Sequence, residues 1–125
     1  MTTVTISQAA DRLLQHDNIL ILTHRRPDGD MLGSAHALCR LLRQKGCRAF
    51  MHDNEDATPR LAPLLEGMTA PEGFAPDLVV AVDVASEGLF LASCDRFCGK
   101  VDLCIDHHPS NTGYARETLL EAEAA

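Results

Sequence analysis

Tryptophan is absent from this 125-residue chain and tyrosine occurs once. Aromatic residues make up 4% of the sequence and hydrophobic residues 46%, so a folded core must be built mostly from Leu, Val, Ala and Ile. Long apolar runs are also missing. None approaches the roughly 18 residues that a membrane-spanning helix needs. The N-terminal stretch MTTVTISQAADRLLQH is amphipathic and carries no apolar centre behind basic residues, so it does not read as a signal peptide. Positive charge is scarce: 11 Lys and Arg stand against 18 Asp and Glu, a net charge of −7. That balance argues against stable binding to duplex nucleic acid or to a membrane, which rests on basic side chains neutralising phosphates. An acidic chain that handles phosphate needs local positive charge, and metal ions are the obvious supplier.

Two familiar signatures are lacking as well. The five cysteines (Cys39, Cys47, Cys94, Cys98 and Cys104) include no CxxC pair. Their spacing suits reduced thiols in a cytoplasmic protein better than a zinc site or a disulfide framework. No GxGxxG follows the first strand-like run, which counts against a metal-free dinucleotide-binding domain.

What is there is an alternation. Residues 6–15 have helical spacing, with Ser7 a candidate cap. NILILT (18–23) is a short continuous apolar run, as a buried parallel strand should be. A helix pattern begins at Asp30 and ends near Gly46. CRAFMH (47–52) reads as a strand and RLAPLLEGM as a short helix. DLVVAVDV (77–84) is the clearest strand, SEGLFLASCDRF can form a helix, and VDLCIDHH (101–108) is a fourth strand. ARETLLEAEAA (115–125) reads as a helix or polar connection, with no finishing strand visible. The length suits one domain. The alternation predicts an α/β fold, an open parallel sheet with helices on both faces.

In such a sheet, ligands bind beyond the carboxyl ends of the strands. Polar residues gather there: His24, Asp28 and Asp30 after the first strand, His52 and Asp53 after the second, Asp83 ending VVAVD, and Asp106, His107 and His108 closing the fourth. Each has an ordinary explanation. Asp30 before Met31 could cap a helix, PDG is a common turn, His16 and His36 read as flank residues, and Arg25 and Arg26 read as solvated charges that could also grip phosphate. The coincidence is what those explanations leave over. An Asp at the end of an apolar strand needs a partner. Carboxylates and imidazoles from three distant segments suit a shared site for hard divalent ions, His adding a preference for a transition ion such as Mn2+.

THRRPDGDMLGSAHAL, VAVDVAS and IDHHPSNTGYA, in that order and each after a predicted strand, resemble the first three motifs of the DHH phosphoesterases. That superfamily includes single-strand exonucleases, nano-RNA and 3′-phosphoadenosine-5′-phosphate phosphatases, cyclic-dinucleotide phosphodiesterases and manganese pyrophosphatases. The resemblance implies a Rossmann-like DHH domain with two Mn2+ ions, Mg2+ being the alternative. His24, Asp28 and Asp83 would hold one ion. Asp30, Asp83 and His107 would hold the other, Asp83 bridging. Asp106 would orient the site, and His108 would contact the scissile phosphate or support a ligand.

The motifs look most like those of the smaller two-domain members, which act on short oligoribonucleotides, linear dinucleotides or 3′-phosphoadenosine-5′-phosphate. By that resemblance, residues 1–125 correspond to the N-terminal catalytic domain. The fourth motif, with a sixth metal ligand, and a glycine-rich substrate domain do not appear in this sequence. The expectation is therefore a fragment of a longer protein, weakly active or inactive alone. Its exposed apolar face would favour a homodimer. The alternatives are a manganese-dependent inorganic pyrophosphatase and a non-catalytic nucleotide-binding module of the same fold.

Overall fold

The computed structural model describes residues 1–121. Five strands form one sheet: β1 (Asn18–Leu22), β2 (Arg48–Met51), β3 (Leu78–Val82), β4 (Leu103–Asp106) and β5 (Glu117–Leu120), in the order β2-β1-β3-β4-β5. Every neighbouring pair is parallel. The strand order reverses direction between β1 and β3, and the crevice above such a reversal is where open α/β sheets place ligands.

Alternate residues of the central strands feed two cores, as the two-residue period of a strand requires. On one face Ile19, Ile21, Val80 and Val82 pack against two α-helices, α1 (Ile6–Leu14) and α2 (Gly29–Gln44), through Leu13, Leu32, Ala35 and Cys39. On the other face Leu20, Leu22, Val79 and Ala81 pack against Phe90, Leu91, Cys94 and Phe97. Helices thus lie on both faces, but they differ in kind: the second face carries only short 3-10 segments, Glu87–Leu89 and Ala92–Phe97. The continuous helix expected over SEGLFLASCDRF does not form. Phe90 pairs across an antiparallel bridge with His24, and the Arg25 N–H donates to the Leu89 carbonyl at 2.8 Å. Those contacts hold Phe90 and Leu91 extended and split the helix in two. RLAPLLEGM likewise yields only a 3-10 turn, Ala62–Leu64, where Pro63 lacks a backbone donor.

Two caps also differ from expectation. Thr5, not Ser7, caps α1, in a capping box with Gln8. Asp28, not Asp30, caps α2. The larger difference is at the C-terminal end. Glu117–Leu120 forms strand β5, paired in register with β4, where a helix or polar connection was expected. Glu, Leu and Ala favour helix in isolation. Here the exposed ladder of β4, the burial of the Thr118 side chain and a bidentate ion pair override that preference. The pair runs from Arg12 Nε and Nη2 of α1 to Glu117 at 2.6 and 3.2 Å. The stretch that showed no strand in sequence therefore contributes one, β5. Residues 122–125 of the expected helix lie outside the described residues. Among the described residues no helix is long and apolar enough to cross a membrane.

Candidate metal centre

The carboxyl ends of β1, β3 and β4 deliver the polar residues to one crevice. A cavity of 270 Å³ there is lined by residues of all three segments, including His24, Arg26 and Asp28 after β1, Asp83 after β3 and His108 after β4.

Against it stands a group of four, two of which, Asp83 and His108, line the cavity. One ligand atom from each of Asp83, Asp106, His107 and His108 lies within 4.8 Å of the other three. Asp83 leaves β3 with left-handed backbone (φ 63), although its N–H still donates to the Ile105 carbonyl of β4 at 2.8 Å. A non-glycine residue in that region is strained, and such strain is concentrated at functional sites. Glycine would relieve it; this chain places a carboxylate there.

Asp106 is a buried carboxylate with all its neighbours donating. Its Oδ1 accepts from His108 Nδ1 at 2.6 Å and from the His107 N–H at 2.9 Å, and its Oδ2 accepts from Asn111 Nδ2 at 2.8 Å. Burial pushes this carboxyl up, but the hydrogen bonds from Asn111, His108 and the His107 backbone outweigh it and hold the group below the ordinary Asp value. The contact with Asp106 also assigns the His108 proton to Nδ1 and leaves Nε2 as the ring's free atom.

Asp83 is the contrary case. Its Oδ1 is buried and has no hydrogen-bond partner. His107 Nε2 is 2.7 Å away, inside ion-pair range but not aligned as a hydrogen bond, and His108 Nδ1 at 3.7 Å is already committed to Asp106. An orphaned buried carboxylate oxygen costs free energy unless something supplies positive charge. Oxygen and imidazole nitrogen crowded around it form a donor set that fits a divalent cation.

The first motif stands beside this group. His24 Nδ1 donates to the Arg25 carbonyl, which fixes the tautomer and leaves Nε2 free, the usual arrangement of a metal-binding imidazole. Asp28 Oδ1 accepts from the Met31 N–H at 2.8 Å, so one oxygen caps α2 and the other remains available. Asp30 sits exposed in the first turn of α2 and does not line the cavity. His52 turns elsewhere, with Nδ1 donating to the Asp53 carbonyl and its ring edge-on to Phe97. His16 and His36 bond to backbone carbonyls away from this crevice.

Three residues escaped the sequence reading. Asn111 anchors Asp106 and is itself buried. Tyr114 donates from its hydroxyl to the Val84 carbonyl at 2.8 Å, tying the loop after β4 to the one after β3. Asn54 is 2% exposed and donates to Thr23 Oγ1 and the His24 carbonyl, both at 2.9 Å. A buried Asn one or two turns past a strand end is a readable hint, but its partners lie 5 to 31 positions away in sequence, so only the fold names them.

A doubly wound parallel sheet with His and Asp converging above its switch point defines an α/β domain with a candidate metal centre. The chain belongs to the DHH family: the family model described as "DHH family, N-terminal domain" matches residues 18–123. It is similar to the bifunctional oligoribonuclease and PAP phosphatase NrnA of Mycoplasma pneumoniae (strain ATCC 29342 / M129 / Subtype 1), with 32% identity over 113 residues, 85% of this chain. The chain spans 35% of that relative's length.

Proposed function

We propose that this chain is the metal-binding catalytic domain of a phosphoesterase that hydrolyses short oligoribonucleotides, linear dinucleotides or 3′-phosphoadenosine-5′-phosphate. The observation that carries the reading is the orphaned Asp83 Oδ1 at the meeting point of Asp106, His107 and His108. The activities in the relative's name, oligoribonuclease and PAP phosphatase, support the substrate class. The likeness of the motifs to those of small two-domain enzymes supports it further.

Two divalent ions, manganese or magnesium, would be held by His24, Asp28 and Asp83 on one side and by Asp30, Asp83 and His107 on the other; when bound they would supply an activated water and neutralise phosphate charge. The chain's own residues prepare that site. Asp106, kept ionised by its three donors, holds the His108 ring with its proton on Nδ1, which leaves the Nε2 lone pair free to support a bound cation. Asp28 divides its carboxylate between capping α2 and the site, which ties the first motif to a rigid helix. Phe90 and Leu91, clamped by the His24 bridge, exclude water from beneath the crevice. We further place the protein in the cytoplasm, on its five free thiols, and expect association through the exposed apolar residues Ile6, Leu14 and Leu41.

The test is hydrolysis by the full-length gene product with Mn2+, using a diribonucleotide, 3′-phosphoadenosine-5′-phosphate and pyrophosphate as parallel substrates. The reading expects turnover of one or both nucleotides and loss by orders of magnitude in Asp83→Ala. Turnover of pyrophosphate alone would identify a pyrophosphatase instead. Binding of nucleotides without hydrolysis of any substrate would identify a non-catalytic module.

A further inference from the structure

Among the described residues, two non-glycine residues have left-handed backbone: Asp83 (φ 63) and Arg26 (φ 51). Both line the same 270 Å³ cavity. The proposed metal site accounts for Asp83 and leaves Arg26 unexplained. Arg26 is the one Lys or Arg among the residues lining a cavity otherwise furnished with Asp28, Asp83, His24 and His108.

Its unusual backbone is held from behind. The Arg26 N–H donates to Asp56 Oδ2 at 3.0 Å, and the Asp56 N–H donates to Asn54 Oδ1 at 3.1 Å. Asn54, buried, then donates to Thr23 Oγ1 and to the His24 carbonyl. The loop after β2 thus buttresses the loop after β1 through a side chain with little exposure. A solvated arginine would need neither the strained backbone nor the buttress. Strain maintained by surrounding bonds is what a pre-positioned side chain requires.

We propose that Arg26 grips a second phosphate of the substrate, one that neighbours the scissile phosphate along the nucleotide chain, and that Asp56 positions it through the Arg26 backbone. This rests on the phosphoesterase reading above. The place in the fold selects the neighbouring phosphate. Arg26 follows β1 and is anchored toward β2, whereas His107 and His108 follow β4, two strands away from β1. At about 4.8 Å per strand step, the arginine is displaced from the His107–His108 end of the crevice by roughly one nucleotide. The guanidinium fork suits a phosphate monoester, whose three terminal oxygens carry more charge than the two free oxygens of a diester, as in a terminal 5′ phosphate. The enzyme would therefore favour short nucleotides that carry a phosphate beside the bond to be cut.

The experiment compares a 5′-phosphorylated diribonucleotide with the same dinucleotide lacking that phosphate, using the full-length gene product and Mn2+. Arg26→Ala is expected to raise KM for the phosphorylated substrate about tenfold, the scale of one charge-assisted contact. The KM for the unphosphorylated substrate and both kcat values should stay within about twofold on the same scale. Arg26→Lys should recover part of the loss. Asp56→Asn should raise the same KM in the wild-type background and add nothing in Arg26→Ala, because it acts through that residue; a merely structural loop would add its effect in both. Equal KM changes for the two substrates, or an Asp56 effect that persists without Arg26, overturn the assignment while leaving the phosphoesterase reading intact. Failure of the wild-type protein to cleave either dinucleotide while it still cleaves 3′-phosphoadenosine-5′-phosphate overturns the Arg26 assignment alone; failure on all three substrates overturns both.

Discussion

His108 Nδ1 lies 2.6 Å from the buried carboxylate of Asp106 and 3.7 Å from that of Asp83. The two carboxylates are served unequally: among the described residues Asp106 has three donors and Asp83 Oδ1 has none. One is satisfied by the fold, and the other is left for the cation proposed above.

Asp106 should contribute to stability in a pH-dependent way. Its carboxyl is held below the ordinary value by the hydrogen bonds that outweigh its burial. The stabilisation is then fully present above the unfolded-chain pKa of about 3.9 and is lost as pH falls through the depressed folded value. In chelator, urea unfolding of the wild type should lose stability below about pH 4 more steeply than Asp106→Asn does. At neutral pH the variant should be less stable by about 1–3 kcal/mol, since it leaves buried donors facing an amide. Matching pH slopes for the two proteins would contradict the role given to Asp106.

Asp83 should behave in the opposite sense. Asp83→Gly removes an orphaned acceptor and relieves a left-handed backbone, so metal-free stability should be unchanged or higher by about 1 kcal/mol. Hydrolysis should nonetheless fall by orders of magnitude. Thermal melts in chelator, set beside activity in Mn2+, read both at once. A large metal-free destabilisation would mean that Asp83 is a structural residue.

Metal binding should appear as stabilisation. A ligand that binds only the folded chain raises its stability by RT ln(1 + [L]/Kd), about 2.7 kcal/mol at a hundredfold excess over Kd. Adding Mn2+ to chelator-treated protein should raise the melting temperature, and Asp83→Gly should lose most of that rise. An equal rise in both proteins would place the ion elsewhere.

Thr118 tests β5. Its side chain is fully buried and its Oγ1 has no hydrogen-bond partner among the described residues. Thr118→Val should stabilise the protein by about 1 kcal/mol, because it replaces a desolvated hydroxyl with a methyl of similar shape. The same change at an exposed helical position would be nearly neutral. Urea midpoints distinguish the two.

Thiol reactivity should follow burial. Cys98 is exposed and Cys47 half-buried, whereas Cys39, Cys94 and Cys104 are buried. Burial pushes the Cys94 thiol up to about 11, far from its reactive thiolate form. An aromatic disulfide reagent should label Cys98 first, Cys47 more slowly and the other three only on unfolding. Fast labelling of Cys94 by mass spectrometry would contradict the packing of the second face.

Strands β1 and β3 were legible because a buried parallel strand is apolar on both faces and needs no partner in sequence to declare itself. The convergence of His24, Asp28, Asp83 and the DHH run was legible too, since strand ends in such a sheet share one edge. Strand β5 was not. ETLL has no apolar alternation, and only the open ladder of β4 makes it a strand. The split of the 86–97 segment was equally hidden, because it depends on a bridge from Phe90 to His24 across the crevice.

Local chemistry along the chain was enough to determine that this is an acidic α/β domain with carboxylates and imidazoles gathered at the strand ends. Hydrophobic period and turn residues act over a few positions and need no folding to be read. Which carboxylate is satisfied and which is orphaned, and which loop braces Arg26, were decided by tertiary structure alone. Those properties arise from hydrogen bonds whose partners only the sheet order brings together.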